Sequence, residues 1–148
     1  MTLHLLKMAV GIESVAHLAR VQKARRDERR AKGERPINWH FTRNFPRRAP
    51  ELLDGGSMYW IIRGEIVARQ RIVALEERRR GEGRKRCAIG LAAKIVRTQP
   101  IGHRALQGWR YLAPGDAPPD LGAAPRLPKG AERLPEGMAR ELRELGLL

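Results

Sequence analysis

Two arginines, Arg69 and Arg71, stand two residues apart in a segment that alternates between apolar and charged side chains. Alternate residues of a β-strand point to the same side, so we expect both guanidinium groups on one outward face. A strand that fixes the direction of two guanidinium groups can bind a phosphate or a carboxylate. Pairing with Glu65 or another acid is the alternative, and binding is the interpretation that we favour.

More cations follow in residues 76–86, where Gly81 and Gly83 interrupt a strand pattern that resumes immediately afterwards. This pattern predicts a hairpin loop. A loop so rich in cations can follow a phosphate backbone, because neutralised phosphates release condensed counterions. A solvated loop without a ligand is the alternative, and the sequence leaves both open. The basic residues are Arg78, Arg79, Arg80, Arg84, Lys85 and Arg86, with Glu76, Glu77 and Glu82 among them.

The segment 108–112 adds aromatic rings to this basic chemistry. Trp109 and Tyr111 flank Arg110, so the two rings are expected on one face of a last extended segment. Aromatic rings on a basic sheet can stack bases, as they do in readers of single-stranded RNA. Burial in the core is the more common fate of a tryptophan. Trp109, Arg110 and Tyr111 therefore join the arginines as candidate nucleic-acid-binding residues.

No residues are arranged as a catalytic or metal site in the sequence. The histidines are scattered, and although His40 could act as a general base, a structural role is favoured for it. Cys87 is the only cysteine, so no internal disulfide can form, and its place on the apolar side of a strand indicates an inert thiol. No dinucleotide, Walker or Gly-x-Ser-x-Gly motif occurs. We predict no catalytic residue, no metal and no cofactor.

Composition limits the class of protein and of partner. A chain of 148 residues with 42% hydrophobic residues is long enough for one domain with a core. Its 30 Lys and Arg against 16 Asp and Glu give a net charge of +14, which makes RNA or another polyanion the first partner to consider. No segment approaches the length of a membrane span and nothing indicates secretion, so we expect a soluble cytoplasmic protein without a membrane partner.

The N-terminal third predicts a strand and then a long helix. Residues 3–10 are a short apolar run that contains Lys7, and a buried strand fits their length. Ser14 is a suitable N-cap for a helix that continues to Gly33 or Pro36. Residues 20–35 of that helix carry eight basic and three acidic side chains.

Alternation predicts most of the remaining strands. Residues 38–44 place Trp39, Phe41 and Arg43 on one side of a strand, with His40 and Thr42 on the other. Residues 57–75 form two extended segments with a bend or bulge at Gly64, in which Ile66, Ala68, Ile72 and Ala74 share one face. A helical turn at residues 50–53 precedes them, and strands are also expected at residues 87–91, 95–96 and 108–112.

The expected fold class is α+β, with a mostly antiparallel, curved and barrel-like sheet of about five to seven strands. One long N-terminal helix packs on it. Residues 1–112 form this single domain, residues 113–134 a proline-rich strap or linker, and residues 135–148 a C-terminal helix.

Two motif blocks resemble a known family. They are Glu-Leu-Leu-Asp-Gly-Gly-Ser-Met-Tyr-Trp-Ile-Ile-Arg-Gly at residues 51–64 with Arg-Gln-Arg-Ile at 69–72, and Gln-Gly-Trp-Arg-Tyr-Leu at 107–112 with Asp-Ala-Pro-Pro-Asp-Leu at 116–121. These blocks resemble the small bacterial proteins of domain of unknown function 1489. The resemblance covers most of residues 1–121, without the arginine-rich part of the first helix or the tail from Gly122. It implies a bacterial cytoplasmic protein and no particular activity.

A more distant likeness is to the RNA-binding barrels of the PUA and ASCH group. There, a short helix precedes a glycine and a strand with outward basic residues, as residues 51–53 precede Gly64 and the arginine pair here. The N-terminal strand and long helix depart from a minimal barrel of this kind.

Together these features favour a non-catalytic RNA-binding or nucleotide-binding module. The first alternative is a protein–protein adaptor, in which the basic helix at residues 20–35 docks an acidic protein partner and the tail helix mediates assembly. The second is a small enzyme acting on a phosphorylated or acidic small molecule, with His40 and Arg43 near its site.

Overall fold

The computed structural model describes residues 1–79, 83 and 85–122. Arg80, Arg84, the later part of the proposed strap and the C-terminal helix expected at residues 135–148 lie outside the described residues. The elements, in chain order, are β1 (His4–Met8), α1 (Val15–Ala31), β2 (Asn38–Thr42), α2 (Ala49–Leu53), β3 (Ser57–Ile62), β4 (Glu65–Arg79), β5 (Lys85–Leu91), β6 (Val96–Gly102) and β7 (Trp109–Leu112).

All seven of these strands belong to one mixed sheet. Its order is β2-β5-β4-β3-β1-β7, with β6 also paired to β4. Only the β1–β3 pairing is parallel among the pairs of these strands. The predicted α+β class with a mostly antiparallel sheet is therefore confirmed. β4 is 15 residues long because its first half pairs with β3 and β6 while its second half pairs with β5.

The sheet is not closed, so the barrel-like closure expected from the sequence is wrong. Among the described strands, β2 and β7 end the order and do not pair with each other. The chain after β2 bridges them instead: the Trp109 indole N–H donates to the carbonyl oxygen of Asn44 at 3.0 Å, and the Arg48 amide donates to the Tyr111 hydroxyl at 3.1 Å. Pro46 lies within this bridge and has no N–H for a ladder of hydrogen bonds.

The turn between β3 and β4 corrects the interpretation of Gly64. Arg63 and Gly64 have φ angles of 52° and 78°, which is the left-handed pair of a two-residue hairpin turn. The ladder between β4 and β6 instead shifts register between Ile66 and Ala68. This bulge separates Ile66 from Ile72, which pack into different clusters rather than on the one face that simple alternation predicts.

Two hydrophobic clusters cover the two faces of β3, and all six of its residues are buried. The larger cluster contains Leu18 of α1 and Leu52 of α2, together with Met58, Trp60 and other sheet residues. The smaller consists of Leu6, Tyr59, Ile61, Ile66 and Leu112. Cys87 is buried in the larger cluster, where burial raises the pKa of its thiol.

The helices differ from the pair that the fold prediction names. Among the described residues the α-helices are α1, which is the long N-terminal helix, and the short α2, which the named pair does not include. The expected C-terminal helix lies outside these residues. The Ser14 hydroxyl accepts a hydrogen bond from the amide of His17 at 3.0 Å and caps the start of α1. The side chain of Gln22 on α1 is buried against the sheet, which fixes the position of the helix.

The described part of the proline-rich segment lies along β6. Thr98 and Asp120 form an isolated antiparallel bridge, the Gln99 amide donates to the Pro119 carbonyl at 2.9 Å, and the Leu121 amide donates to the Arg97 carbonyl at 2.8 Å. Residues 118–121 thereby supply β6 with hydrogen-bond partners on its outer edge.

Candidate anion-binding site

Arginines from β4 and β5 cover the aromatic side chains on the outward face of β2. The Arg78 guanidinium carbon lies 4.4 Å from the centroid of the Trp39 ring and 5.9 Å from that of Phe41. The Arg86 guanidinium carbon lies 4.8 Å from the Phe41 centroid. Arg78 and Arg86 are directly opposite each other in the β4–β5 ladder. We call Trp39, Phe41, Arg78 and Arg86 the arginine platform.

A glycine positions the Trp39 ring. Trp39 pairs with Gly90 of β5, and a Cβ added to Gly90 would lie 3.1 Å from Cζ3 of Trp39 and 3.1 Å from the Cβ of Ala74. The missing side chain therefore leaves the space in which the indole rests against β5. The alternation of residues 38–44 places the ring on the outward face, and Gly90 lets it lie close to the sheet.

An open groove of about 700 Å³ runs beside the platform. Arg29 and Arg35 line it together with Trp39 and Arg78. Two of the three described arginines that line the groove form ion pairs within the chain. Arg29 Nη1 lies 3.7 Å from Glu34 Oε2, and Arg78 Nη2 lies 3.0 Å from Glu76 Oε2. Ion pairs this exposed contribute little, so a polyanion can compete for both arginines.

A smaller pocket of about 140 Å³ lies between α1 and the sheet. Its described lining contains three cations, Lys7, Arg25 and Arg29, and no Asp or Glu. Arg29 and Trp39 line both this pocket and the groove, so the two spaces adjoin. We call this space the α1 pocket.

The inner side of the α1 pocket holds groups whose hydrogen-bonding capacity is unused. Asn38 Nδ2 and His40 Nε2 are both buried and have no hydrogen-bond partner among the described atoms. Burial, with a smaller contribution from the charges of Lys7 and Arg25, lowers the pKa of His40 to about 4. The imidazole is therefore neutral at pH 7, and it packs edge-on against Trp60 with 5.1 Å between ring centroids.

Lys7 is the cation on the inner wall of this pocket. It stands on β1 beside Trp60 of β3 in the parallel ladder, and burial lowers the pKa of its ammonium group. Lys7 is half-buried, and no described acid lines the pocket beside it. A cation in this setting is poorly solvated, and an anion in the pocket would relieve that cost.

The arginine pair on β4 has a different environment from the platform. Arg69 Nε and Nη2 each donate to a carboxylate oxygen of Asp120 at 2.7 Å, and Arg69 Nη1 donates to the Ser57 hydroxyl at 3.1 Å. This ion pair raises the pKa of the Arg69 guanidinium and lowers that of the Asp120 carboxyl. Arg71 is exposed on the same half of β4.

The β7 aromatic residues also lie away from the platform. The rings of Trp109 and Tyr111 contact each other edge-on with 4.9 Å between centroids, and Arg48 lies 5.7 Å from the Tyr111 ring. Trp109 packs against the larger core cluster, whereas Tyr111 is 37% exposed. Arg110 donates to the carbonyl oxygens of Gln107 and Trp109.

The structure thus divides the predicted residues among three places. Arg78 and Arg86 belong to the platform, and Arg79 and Lys85 extend from it as exposed neighbours in the same ladder. Arg69 and Arg71 lie on the other half of β4, and Trp109, Arg110 and Tyr111 are on β7. Arg80 and Arg84 lie outside the described residues. Sequence reasoning did not select Trp39, Phe41, Lys7, Asn38, Arg25 or Arg29 as nucleic-acid-binding residues.

Signals for some of these residues were present in the sequence. Trp39 and Phe41 alternate on a strand, and Lys7 interrupts an apolar run. Neither pattern shows which distant cations or helix residues come to lie beside them. The α1 pocket includes His40 but not Arg43, so it does not bring together the two residues suggested for a small enzyme.

A cluster of metal ligands and a membrane-spanning helix are both absent from the described part of the chain. There, no three His, Cys, Asp or Glu side chains come together as ligands for a metal ion. No described helix combines the length and the apolar character needed to cross a membrane.

Comparison with known proteins identifies the family of the chain. The family described as Protein of unknown function (DUF1489) matches residues 5–148. The chain belongs to this family. The resemblance seen in the two motif blocks is therefore confirmed, and the match extends further than those blocks, through the arginine-rich helix and the tail. No curated protein and no solved structure matches the chain, and the likeness to PUA and ASCH barrels is not confirmed.

Proposed function

We propose that the protein is a non-catalytic RNA-binding module that holds a single strand on the arginine platform and in the groove beside it. The observation that carries this proposal is the placement of Arg78 and Arg86 over the rings of Trp39 and Phe41. Bases stack on aromatic rings and on guanidinium planes, while arginine side chains bind phosphates. The platform offers both kinds of contact on one face of the sheet.

Charge supports the same proposal. Arg79 and Lys85 extend the cationic ladder beyond the platform, and Arg35 lines the groove. The net charge of +14 would attract a polyanion over a long range at low salt. RNA binding also agrees with the cytoplasmic location expected from the sequence.

The test is the affinity for a single-stranded RNA of mixed sequence, measured by fluorescence anisotropy over a range of salt concentrations. Arg78→Gln with Arg86→Gln should weaken binding at least about tenfold and make the slope of log K against log salt shallower by about 1.4, because two phosphate contacts are lost. The matched control is Arg47→Gln with Arg104→Gln, which removes two exposed arginines elsewhere.

An equal loss in both double variants would show that only net charge matters and would contradict the proposal. Unchanged affinity in a folded platform variant would contradict it as well. If the protein instead purifies with a stoichiometric protein that survives nuclease treatment, the adaptor interpretation replaces RNA binding.

A further inference from the structure

We propose that the α1 pocket binds a phosphate monoester, and that the monoester is the terminal phosphate of the strand held on the platform. The second part rests on the proposed RNA binding, and the first does not. The pocket has three cationic side chains in its described lining and no carboxylate. Such a lining favours a compact anion over a neutral or cationic group.

The size of the pocket limits what can enter. Pockets for whole small molecules usually measure about 300–1,000 Å³. At about 140 Å³, the α1 pocket is large enough for one chemical group but too small for a whole nucleotide. A phosphodiester within a strand has a nucleotide on each side and would need room for both. A terminal monoester can enter such a space alone.

The hydrogen-bonding groups favour phosphate over a base. Asn38 is only 7% exposed, and its Nδ2 is a buried donor without a partner among the described atoms. The neutral imidazole of His40 can donate from Nε2, which also has no partner there. Gln22 could offer an acceptor to a base, but its side-chain oxygen accepts from Gln70 Nε2 at 2.7 Å. The groups left over in the pocket are mainly donors, which suit phosphate oxygens.

The position of the pocket connects it to the platform. Arg29 and Trp39 form part of the wall of both the pocket and the groove. A strand whose last base stacks on the platform at Trp39 therefore has its end beside the pocket mouth. Arg29 would contact the strand from either space, whereas Lys7 and Asn38 are reached only from the pocket.

The experiment compares oligonucleotides that differ only at one end. The intact protein is titrated into two pairs of single-stranded RNAs. One pair carries a 5′-phosphate or a 5′-hydroxyl and is labelled at the 3′ end. The other pair carries a 3′-phosphate or a 3′-hydroxyl and is labelled at the 5′ end. For one end, we expect the phosphate to bind about tenfold more tightly than the hydroxyl, as one added charge-assisted contact allows. Lys7→Met should abolish this preference and leave the binding of the hydroxyl form unchanged.

Two further variants separate the pocket from the platform. Arg78→Gln with Arg86→Gln should weaken both forms equally and retain the preference for phosphate. The control Lys94→Met removes an exposed lysine and should change neither quantity. If Lys7→Met does not fold, Arg25→Gln on the exposed side of α1 replaces it, with the same expected loss of preference.

A titration with inorganic phosphate tests the phosphate site without RNA. An anion next to His40 should raise the pKa of its imidazole, and ring resonances that are missing from His40→Gln would report this shift by NMR. A shift that Lys7→Met removes supports the phosphate site even if no RNA binds, and in that case the strand-end assignment and the proposed RNA binding are both wrong. No shift, with equal affinity for the phosphate and hydroxyl strands, overturns the phosphate site and leaves RNA binding standing.

Discussion

Gln22 of α1 and Gln70 of β4 exchange both of their amide hydrogen bonds, each at 2.7 Å, in the interior of the protein. Gln70 Oε1 also accepts from the Trp60 indole N–H at 3.0 Å, and Gln70 Nε2 also donates to the Ala92 carbonyl at 2.9 Å. All the hydrogen-bonding capacity of the Gln70 side chain is therefore used. The pair ties the helix that walls the α1 pocket to the sheet beneath it.

Substitution of Gln70 should be strongly destabilising. Gln70→Ala removes buried volume and leaves the partners on Gln22, Trp60 and Ala92 unsatisfied, so we expect the free energy of unfolding to fall by about 3 kcal/mol or more in urea denaturation. Gln107→Ala, on an exposed segment, should be nearly neutral. A double variant with Gln22→Leu and Gln70→Leu should lose less than the sum of its single variants, and additive losses would contradict the coupling.

Gly56 is a position where even one methyl group does not fit. A Cβ there would lie 2.2 Å from the Leu3 carbonyl oxygen and 2.3 Å from that of Leu52, and both of these atoms belong to the backbone. We expect Gly56→Ala to reduce the free energy of unfolding by about 3 kcal/mol, because the main chain must shift. A Cβ at Gly115 would meet no described atom within 4 Å, so Gly115→Ala should change the free energy of unfolding little. Equal melting temperatures for the two variants would contradict this account.

The partly buried imidazole of His40 predicts how stability depends on pH. Its pKa is about 4 in the folded protein against the ordinary histidine value of 6.5, so below pH 6.5 the unfolded chain takes up a proton that the folded chain does not. Stability should fall as pH falls from 6.5 towards 4, by at most about 3 kcal/mol from this residue. His40→Gln should flatten this part of the curve in denaturation measured at each pH. An unchanged slope in that variant would assign the pH dependence to other groups.

The contribution of base stacking to RNA affinity can be measured separately from the contribution of the platform's charge. Trp39→Leu removes an aromatic surface but no cation, so RNA affinity should fall by about tenfold while the salt dependence stays the same. Anisotropy titrations at several salt concentrations measure both quantities. Trp109→Leu is the matched substitution on β7, and it should leave RNA affinity unchanged in a folded protein. A loss of affinity with Trp109→Leu alone would move the stacking surface to β7.

The parts of the fold that follow local rules could be predicted. Alternation in residues 38–44 places Trp39 outward and buries Thr42, and the N-cap pattern at Ser14 precedes α1. The site depends on contacts between distant segments, which no local pattern contains. Arg69 forms an ion pair with Asp120, which lies 51 residues later in the sequence. An arginine predicted to bind a ligand is therefore paired with an acid of the same chain. The α1 pocket collects Lys7 from β1, Arg25 and Arg29 from α1, and His40 from β2.

β4 runs through both parts of the sheet, since residues 65–71 pair with β3 or β6 and residues 72–79 with β5. Neither part can detach as a separate unit without breaking the continuous strand that the other also needs. The amides of β3 and β5 should therefore exchange with solvent deuterium through one global opening and share one free energy of exchange. The platform at one end of this strand and the Arg69 ion pair at the other would persist or disappear together.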